Sequence, residues 1–429
     1  MDRIEIHPVK YFKGEVIPAP DKSISHRAVI FSSLANGRSV IRNFLRAEDP
    51  FSTINAFRAL GVRIEDSNKE IIIDGRGLNG LKEPEDVINC GNSGTTIRLI
   101  SGILAGNPFF SVLTGDASLR SRPMGRIIIP LSQMGAEIRA RSNNKYPPLS
   151  IKGGYLKAVR YEMPVASAQV KSSIILAGLY TDGITEVIEP IKSRDHTERM
   201  LPAFGAEINI KDNVISIKGR AELKSNLIEI PGDFSSAAFF LVGALIIDNS
   251  DLIIKNVGIN PTRTGVLEVL QRMGADIKIE NTRYISGEPV ADLYCTGGKK
   301  LKALNIKREQ IPSMIDEFPI LCVAATQAEG VTTIRGAEEL RVKESDRIKS
   351  MVSELRKMGV EIEEYPDGLS IKGSSSLRGA DIESHNDHRI AMAMSIAGLI
   401  AEGVTTINGV SSVNISFPGF FDIIRRLTH

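Results

Sequence analysis

Apolar and polar positions along this chain follow a pattern that recurs six times. Each recurrence opens with a run of small and aliphatic residues almost free of charge, such as SISHRAVIFSSLANG after Asp21 or HRIAMAMSIAGLIAEG after Asp387. The runs begin near Asp21, Asn92, Ser167, Asp233, Asp316 and Asp387, roughly 65 to 85 residues apart. A helix without a polar face has to be buried, so each run predicts a core helix. A short β-branched stretch follows each one, at 39–42, 110–113, 184–188, 252–255, 332–334 and 405–407, and predicts a strand. Next comes an amphipathic helix. Five of these, at 57–61, 131–135, 201–205, 270–274 and 355–359, place apolar residues at helical spacing before a glycine that stops the helix. The sixth, 417–427, runs into the chain end. Beyond the glycines the pattern changes to alternation, as in 62–65 with 70–73 and 206–210 with 214–217, which predicts paired strands with one buried face.

The repeating unit is therefore helix, strand, helix, strand, strand. Its sixth copy lacks the last two strands, and 3–7 with 14–17 have the length and character to supply them. That groups the N-terminus with the C-terminal half. One domain is expected from residues 1–20 plus 232–429 and the other from 21–231, with three units in each. Three units per domain predict pseudo-threefold symmetry, with small-residue helices inside and amphipathic helices outside against a sheet. The alternative is an ordinary α/β protein whose helices resemble one another by chance. Six occurrences at comparable spacing favour the repeat.

Composition narrows the function classes. Apolar content of 42% with 24% charged residues describes a globular chain. A net charge of +2, from 53 basic and 51 acidic residues, leaves no broad basic surface for nucleic acid. Cys90, Cys295 and Cys322 have no metal-ligand spacing and cannot all pair, which fits a reducing compartment. The start of the chain has no basic segment leading into an apolar run, and the apolar stretches 237–247 and 390–400 are too short to span a bilayer. The expectation is a cytoplasmic protein that touches neither membrane nor nucleic acid.

Charges collect where the buried helices begin. The segment 89–98, NCGNSGTTIR, can bring backbone close to a ligand at Gly91 and Gly94, with Asn92 or Ser93 as the cap. Free N–H groups and the helix field favour an anion there, although a capped helix with no ligand would read the same way. Lys22, Ser23 and Arg27 can converge on one anion, Arg98 adds a base, and Arg122 before Pro123 is expected near the positive end of a helix. Ser167, Gln169, Lys171, Lys192, Arg194 and His196 add polar groups in the third unit. Acids enter later, with Asp316–Glu317, Arg341–Arg347 and Asp387–Arg389. Lys343 and Arg347, four apart, would share one helix face with Glu344 beside them. Taken singly, each charge reads first as a solvated surface group. Together the bases suit a substrate with two phosphates, or one phosphate and carboxylates, and a carboxylate among them suits proton transfer. No nucleotide-binding loop is present. His385 and His388 lack a third ligand, so no metal is expected, and His26 and His196 read as hydrogen-bonding residues.

Lys22–Arg27, Gly91–Arg98, Arg122-Pro123, Ser167-Ala168-Gln169, Asp316, Arg341–Arg347 and Asn386–Arg389, taken in order, resemble the 5-enolpyruvylshikimate-3-phosphate synthases over nearly the whole length. The resemblance implies an α/β (α+β) chain of two domains, six βαβαββ units forming an inside-out barrel with pseudo-threefold symmetry in each domain. It implies transfer of the enolpyruvyl group of phosphoenolpyruvate to the 5-hydroxyl of 3-phosphoshikimate, through a tetrahedral adduct, in a monomer without cofactor or metal. By the same resemblance, Lys22, Ser23, Arg27, Ser167, Ala168, Gln169, Arg194, Asp316 and Lys343 would bind 3-phosphoshikimate. Phosphoenolpyruvate would lie against Lys22, Asn92, Gly94, Arg122, Gln169, Arg347 and Arg389. Asp316, Glu344 and Lys22 would move protons, with inner-helix entrances of both lobes around one pocket.

Two departures from the family pattern stand out. Many members carry a lysine just before Thr-Phe-Pro, and this chain has Ile415 before Ser416-Phe417-Pro418, so Arg120 or Lys171 would have to compensate. The run 193–198, SRDHTE, is similar to a divergent subgroup and puts Arg194 where others use another side chain. The related UDP-N-acetylglucosamine enolpyruvyl transferases carry a cysteine before their Arg-Pro. The loop 114–123 has none, and Ser23 stands where they have asparagine.

Overall fold

The computed structural model describes residues 2–428. All six expected buried helices are present: Lys22–Leu34, Gly94–Ala105, Ala168–Gly178, Phe234–Ile246, Phe318–Thr326 and His388–Gly398. Five of them start from a side-chain cap, namely Asp21, Ser93, Ser167, Asp233 and Asp387. A cap accepts one of the N–H groups that the first turn leaves unpaired, and it is worth about 1 kcal/mol. Phe318–Thr326 instead starts from Glu317 without a side-chain cap and has a proline in its first turn. Small residues are needed where these helices touch. A Cβ at Gly102 in the second buried helix would stand 2.1 Å from the Ser173 carbonyl oxygen of the third, so no larger residue fits.

The described strands form six small sheets, five of four strands and one of three. Each is built on the strand after a buried helix, which pairs in parallel on one side and antiparallel on the other. In the second sheet, 110–114 lies between Ile88–Asn89 in parallel and Tyr146–Lys152 in antiparallel register, with Glu137–Ala140 beyond. Sheets three and five repeat this order on Ile184–Ile188 and Val331–Ile334. In these three sheets, as in the sixth, the parallel edge strand is the last strand before the buried helix.

The N-terminal strands depart from expectation. Arg3–Ile6 does pair antiparallel with Thr405–Asn408 in the sixth sheet. Tyr11–Val16, which contains most of the stretch 14–17, is instead the parallel edge of the fourth sheet, beside Asn249–Gly258. Leu227–Glu229 fills the same place in the first sheet, beside Val40–Arg42. The reason is connectivity. These two strands precede the Lys22 and Phe234 helices, where the chain passes from one compact unit to the other, so each pairs in the unit it is leaving.

One unit comprises Met1–Ala19, Pro231–Tyr284 and Pro289–His429, and the other Pro20–Ile230 with Ile285–Glu288. Each has its own apolar core of helix and sheet faces. In the first, Phe420 of the last helix packs edge-on against Phe417 and Phe239, which holds the C-terminal Phe420–Thr428 helix. No helix among the described residues is long and apolar enough to cross a membrane.

Candidate active site

In the unit around residues 20–230, the first buried helix presents Lys22 and Ser23 in its first turn, fixed by Asp21, whose side chain accepts from Ile24 N at 2.8 Å. Lys22 Nζ lies 3.1 Å from Asp49 on the amphipathic helix Glu48–Ala59. One turn further on that helix, Thr53 bonds His26 Nδ1 at 2.7 Å and the Thr96 hydroxyl at 2.7 Å. Thr96 in turn donates to the Ser93 cap at 2.8 Å. The starts of the first and second buried helices are thus tied together through Asp49 and Thr53. Burial, then Lys22 and Arg27, push His26 well below the ordinary histidine range, so it serves here as a neutral hydrogen-bonding group, as expected.

At the second entrance Ser93, rather than Asn92, is the cap. Asn92 holds Arg122 instead: its side-chain oxygen accepts from Nη2 at 2.6 Å and its carbonyl from Nη1 at 3.2 Å, while its amide donates to Asp116 at 2.7 Å. Arg98 donates to Gln169, and Gln169 donates to Thr95 at 3.0 Å. Gly94 lies between the two guanidinium groups, since a Cβ there would stand 3.0 Å from Arg98 Nη1 and 3.3 Å from Arg122 Nη1. Asn92, Gly94, Arg122 and Gln169 therefore assemble as one cationic cradle. Arg98 belongs to it too, although the family resemblance does not place it in the site. The proline does not start the helix. Arg122 and Pro123 lie in the connection before Gly125–Gln133, and Arg122 is held by Asn92 and by the Ser118 hydroxyl at 3.1 Å.

Arg27 and Lys22 are held by different elements. Arg27 is buried, donating from Nε to Thr197 at 2.7 Å, from Nη2 to Ser172 at 2.9 Å and from Nη1 to the Ser23 carbonyl at 3.0 Å. Burial brings its guanidinium down to about 10, against the pull of Glu198 and Asp21, and it stays a cation at neutral pH. Ser167 caps the third buried helix, which begins at Ala168. Half-buried Arg194 follows Ser193 in the segment leading to the short helix His196–Met200, where His196 Nδ1 meets Glu288 at 2.7 Å. Lys171 cannot replace the missing family lysine. It is fully buried, with Nζ 2.6 Å from Glu198 and 2.8 Å from Glu189.

The other unit gathers acids around a buried arginine. Arg347 is 1% exposed and meets Asp387 through Nε at 2.8 Å, Asp316 through Nη1 at 3.2 Å and Glu344 through Nη2 at 2.6 Å. Arg389 adds a second guanidinium, 3.0 Å from the Asp316 carbonyl and 3.6 Å from its carboxylate. Asp387 also caps the sixth buried helix by accepting from Arg389 N at 2.9 Å, and it takes the Ser345 hydroxyl at 3.1 Å. Burial works against charge at both ends of the Arg347–Asp387 pair, but mutual attraction outweighs it: Arg347 is raised and Asp387 lowered from their ordinary values. Lys343 does not share a helix face with Arg347. The helix starts at Arg347, capped by Asp346, and Lys343 is an extended residue three positions before that cap.

Three carboxylates thus meet the Arg347 guanidinium, and two of them, Asp316 and Glu344, are only partly buried. In the other unit, Arg98 and Arg122 put two guanidinium groups beside Gly94, the donor geometry that suits an oxyanion.

A sequence-family profile described as "EPSP synthase (3-phosphoshikimate 1-carboxyvinyltransferase)" matches residues 6–424. A 3-phosphoshikimate 1-carboxyvinyltransferase of Thermodesulfovibrio yellowstonii is 57% identical over 429 residues, covering 100% of both chains. A solved EPSP synthase from Acinetobacter baumannii superposes with a TM-score of 0.89 at 48% identity, covering 100% of this chain and 98% of that one. The enolpyruvyl transferase NikO from Streptomyces tendae shares the fold, with a TM-score of 0.81 at 16% identity over 99% and 97% of the two chains. With the profile spanning nearly every residue and a relative matched end to end, this chain belongs to the EPSP synthase (3-phosphoshikimate 1-carboxyvinyltransferase) family.

Proposed function

We infer that the two clusters serve one reaction, transfer of the enolpyruvyl group of phosphoenolpyruvate to the 5-hydroxyl of 3-phosphoshikimate, on the route to chorismate. Protonation of the phosphoenolpyruvate methylene leaves an oxocarbenium-like carbon. The 5-hydroxyl attacks that carbon and loses its proton, giving a tetrahedral adduct. Loss of a proton from the new methyl group expels phosphate, so C–O rather than P–O is cleaved. Arginines suit the anion-binding part because they hold charge without changing protonation, and carboxylates with a lysine suit the proton transfers.

In this reading Ser23, Arg27, Ser167, Ala168, Gln169, Arg194 and Lys343 hold the acceptor. Asn92, Gly94, Arg122, Gln169, Arg347 and Arg389 hold phosphoenolpyruvate, and Lys22 touches both substrates. Asp316 takes the proton of the attacking hydroxyl, while Glu344 with Lys22 serves the methylene and the departing phosphate. The observation that carries the assignment is the sharing of Arg347 by Asp316 and Glu344 at 3.2 and 2.6 Å, which keeps two potential bases beside one cation. The architecture in this proposal is an inside-out barrel with pseudo-threefold symmetry, three units per domain over 1–20 plus 232–429 and 21–231, in a cytoplasmic monomer.

The test is rapid-quench measurement of the tetrahedral adduct. Asp316→Ala is expected to slow its formation, and Glu344→Gln to slow both formation and breakdown. Wild-type protein should release phosphate with 3-phosphoshikimate and not with UDP-N-acetylglucosamine. Unchanged rates for both steps in both variants would overturn the proton assignments.

A further inference from the structure

The most deeply buried lysine of the chain is absorbed by none of these roles. Lys171 stands two residues after Gln169 on the third buried helix and is 0% exposed. Its ammonium reaches Glu198, Glu189 and, at 3.4 Å, the Ser193 carbonyl. Glu189 closes on the same residue from the other side, taking the Ser193 amide at 3.2 Å and the Ser193 hydroxyl. The backbone N–H, carbonyl and side chain of Ser193 are thus all fixed, immediately before Arg194. Ser172, next to Lys171, bonds Thr197, next to Glu198, at 2.7 Å, and both hydroxyls face Arg27. Consecutive residues of the third buried helix therefore grip consecutive residues of the segment 189–198, with Arg27 locked into the join.

A buried ion triad of this kind is a poor source of net stability, because desolvating three charges takes back most of their attraction. Burial indeed pushes the Glu198 carboxyl up against the pull of Lys171. Fixing a geometry is the better-supported use of such a group. Resting on the acceptor-site reading above, we propose that Lys171 is a positioning residue for the acceptor's anionic groups. With Glu189 and Glu198 it pins Ser193 and Thr197, so that Arg194 and Arg27 are presented in one fixed arrangement.

The experiment compares wild type, Lys171→Met and Ser193→Ala by steady-state kinetics, varying each substrate at saturating concentration of the other. Lys171→Met should raise KM for 3-phosphoshikimate by about tenfold, with KM for phosphoenolpyruvate and kcat changed less than about threefold. Ser193→Ala strands no buried charge and should move the same parameter in the same direction by about threefold. A purely structural lysine would lower the melting temperature and the active fraction without separating the two KM values. Equal shifts in both KM values, or an unchanged acceptor KM, in the folded Lys171→Met protein would overturn the proposal. If that variant does not fold, an unchanged acceptor KM in Ser193→Ala overturns it. Failure of the wild type to turn over would instead overturn the reading on which it rests.

Discussion

Replacing Asp387 by asparagine isolates the pair at the centre of the acidic cluster. The carboxylate is fully buried and has two tasks: Oδ1 caps the sixth buried helix through Arg389 N, and Oδ2 takes Arg347 Nε and Ser345, with Arg347 Nη2 also reaching Oδ1 at 3.4 Å. Asparagine caps a helix as well as aspartate does, so the cap, worth about 1 kcal/mol, survives. The ion pair does not, because asparagine has one acceptor oxygen and one of the two faces must now turn N–H groups toward a donor. Breaking a buried pair from one side costs about 3–5 kcal/mol, and the lower end applies because Arg347 keeps the partly exposed Asp316 and Glu344. Asp387→Asn should therefore cost about 3 kcal/mol, and Asp387→Ala about 1 kcal/mol more.

The pH dependence carries an independent sign. The folded Asp387 carboxyl is lowered, so its contribution is fully present above the unfolded carboxylate value of about 3.9 and is lost as pH falls through the folded value. The gap between wild type and Asp387→Asn should be the same at pH 7 and pH 5 and should narrow only below about pH 4. The assay is urea unfolding combined with native-state hydrogen exchange of the His388–Gly398 amides, which reports the unit holding the cluster even if the two units unfold separately. A loss below about 1 kcal/mol at pH 7, or a gap that closes between pH 7 and 5, would show that Arg347 and Asp387 are not the coupled pair described.

Gly94→Ala should leave the fold intact, because only two flexible guanidinium tips, 3.0 and 3.3 Å from the new methyl, have to give way. Moving both should raise KM for phosphoenolpyruvate by about tenfold with little change in melting temperature, and an unchanged KM would mean that Arg98 and Arg122 do not contact the donor. Asp49→Asn removes a buried counter-charge 3.1 Å from Lys22, whose own side chain is partly exposed, so stability should fall by about 1–2 kcal/mol. Its kcat should drop by about tenfold if Asp49 orients Lys22 for proton transfer, and a melting-temperature loss with full kcat would contradict that role.

The elements legible in the chain are those whose signals are local. The six buried helices could be placed from small-residue runs, and five of their caps from an aspartate or serine just ahead of them. Glycines marked the ends of the amphipathic helices for the same reason. What could not be read is partnership over distance. Nothing near Lys22 announces Asp49, 27 residues away, and nothing near Arg27 announces Thr197, 170 residues away. The stretch 14–17 misled because a short edge strand has the same local character whichever sheet receives it, and only the path of the chain puts Tyr11–Val16 beside Asn249–Gly258. Lys343 misled because a four-residue spacing implies a shared face only within a helix, and the Asp346 cap starts that helix after Lys343. Arg98 stands in the motif, but its place in the cradle depends on Gln169, 71 residues away, which no local signal announces.

The helix starts also say where stability has been given up. None of the six buried helices carries an acidic residue in its first turn, although the amphipathic helix beside the first one carries Glu48 and Asp49 there. The field at a helix N-terminus favours negative charge by about 0.3–1 kcal/mol per group, so Lys22 in the first turn and Arg98 one turn in are both placed against it. A chain selected for stability alone would put glutamate at such positions. An arriving oxyanion reverses the sign, since it meets the unpaired N–H groups, the helix field and the misplaced cations together. Three of the starts do carry an aspartate at the cap: Asp21 in this unit, and Asp233 and Asp387 in the other, where each also pairs with an arginine, Arg263 or Arg347. The local electrostatics therefore favour an anion at the Lys22 and Arg98 helix starts.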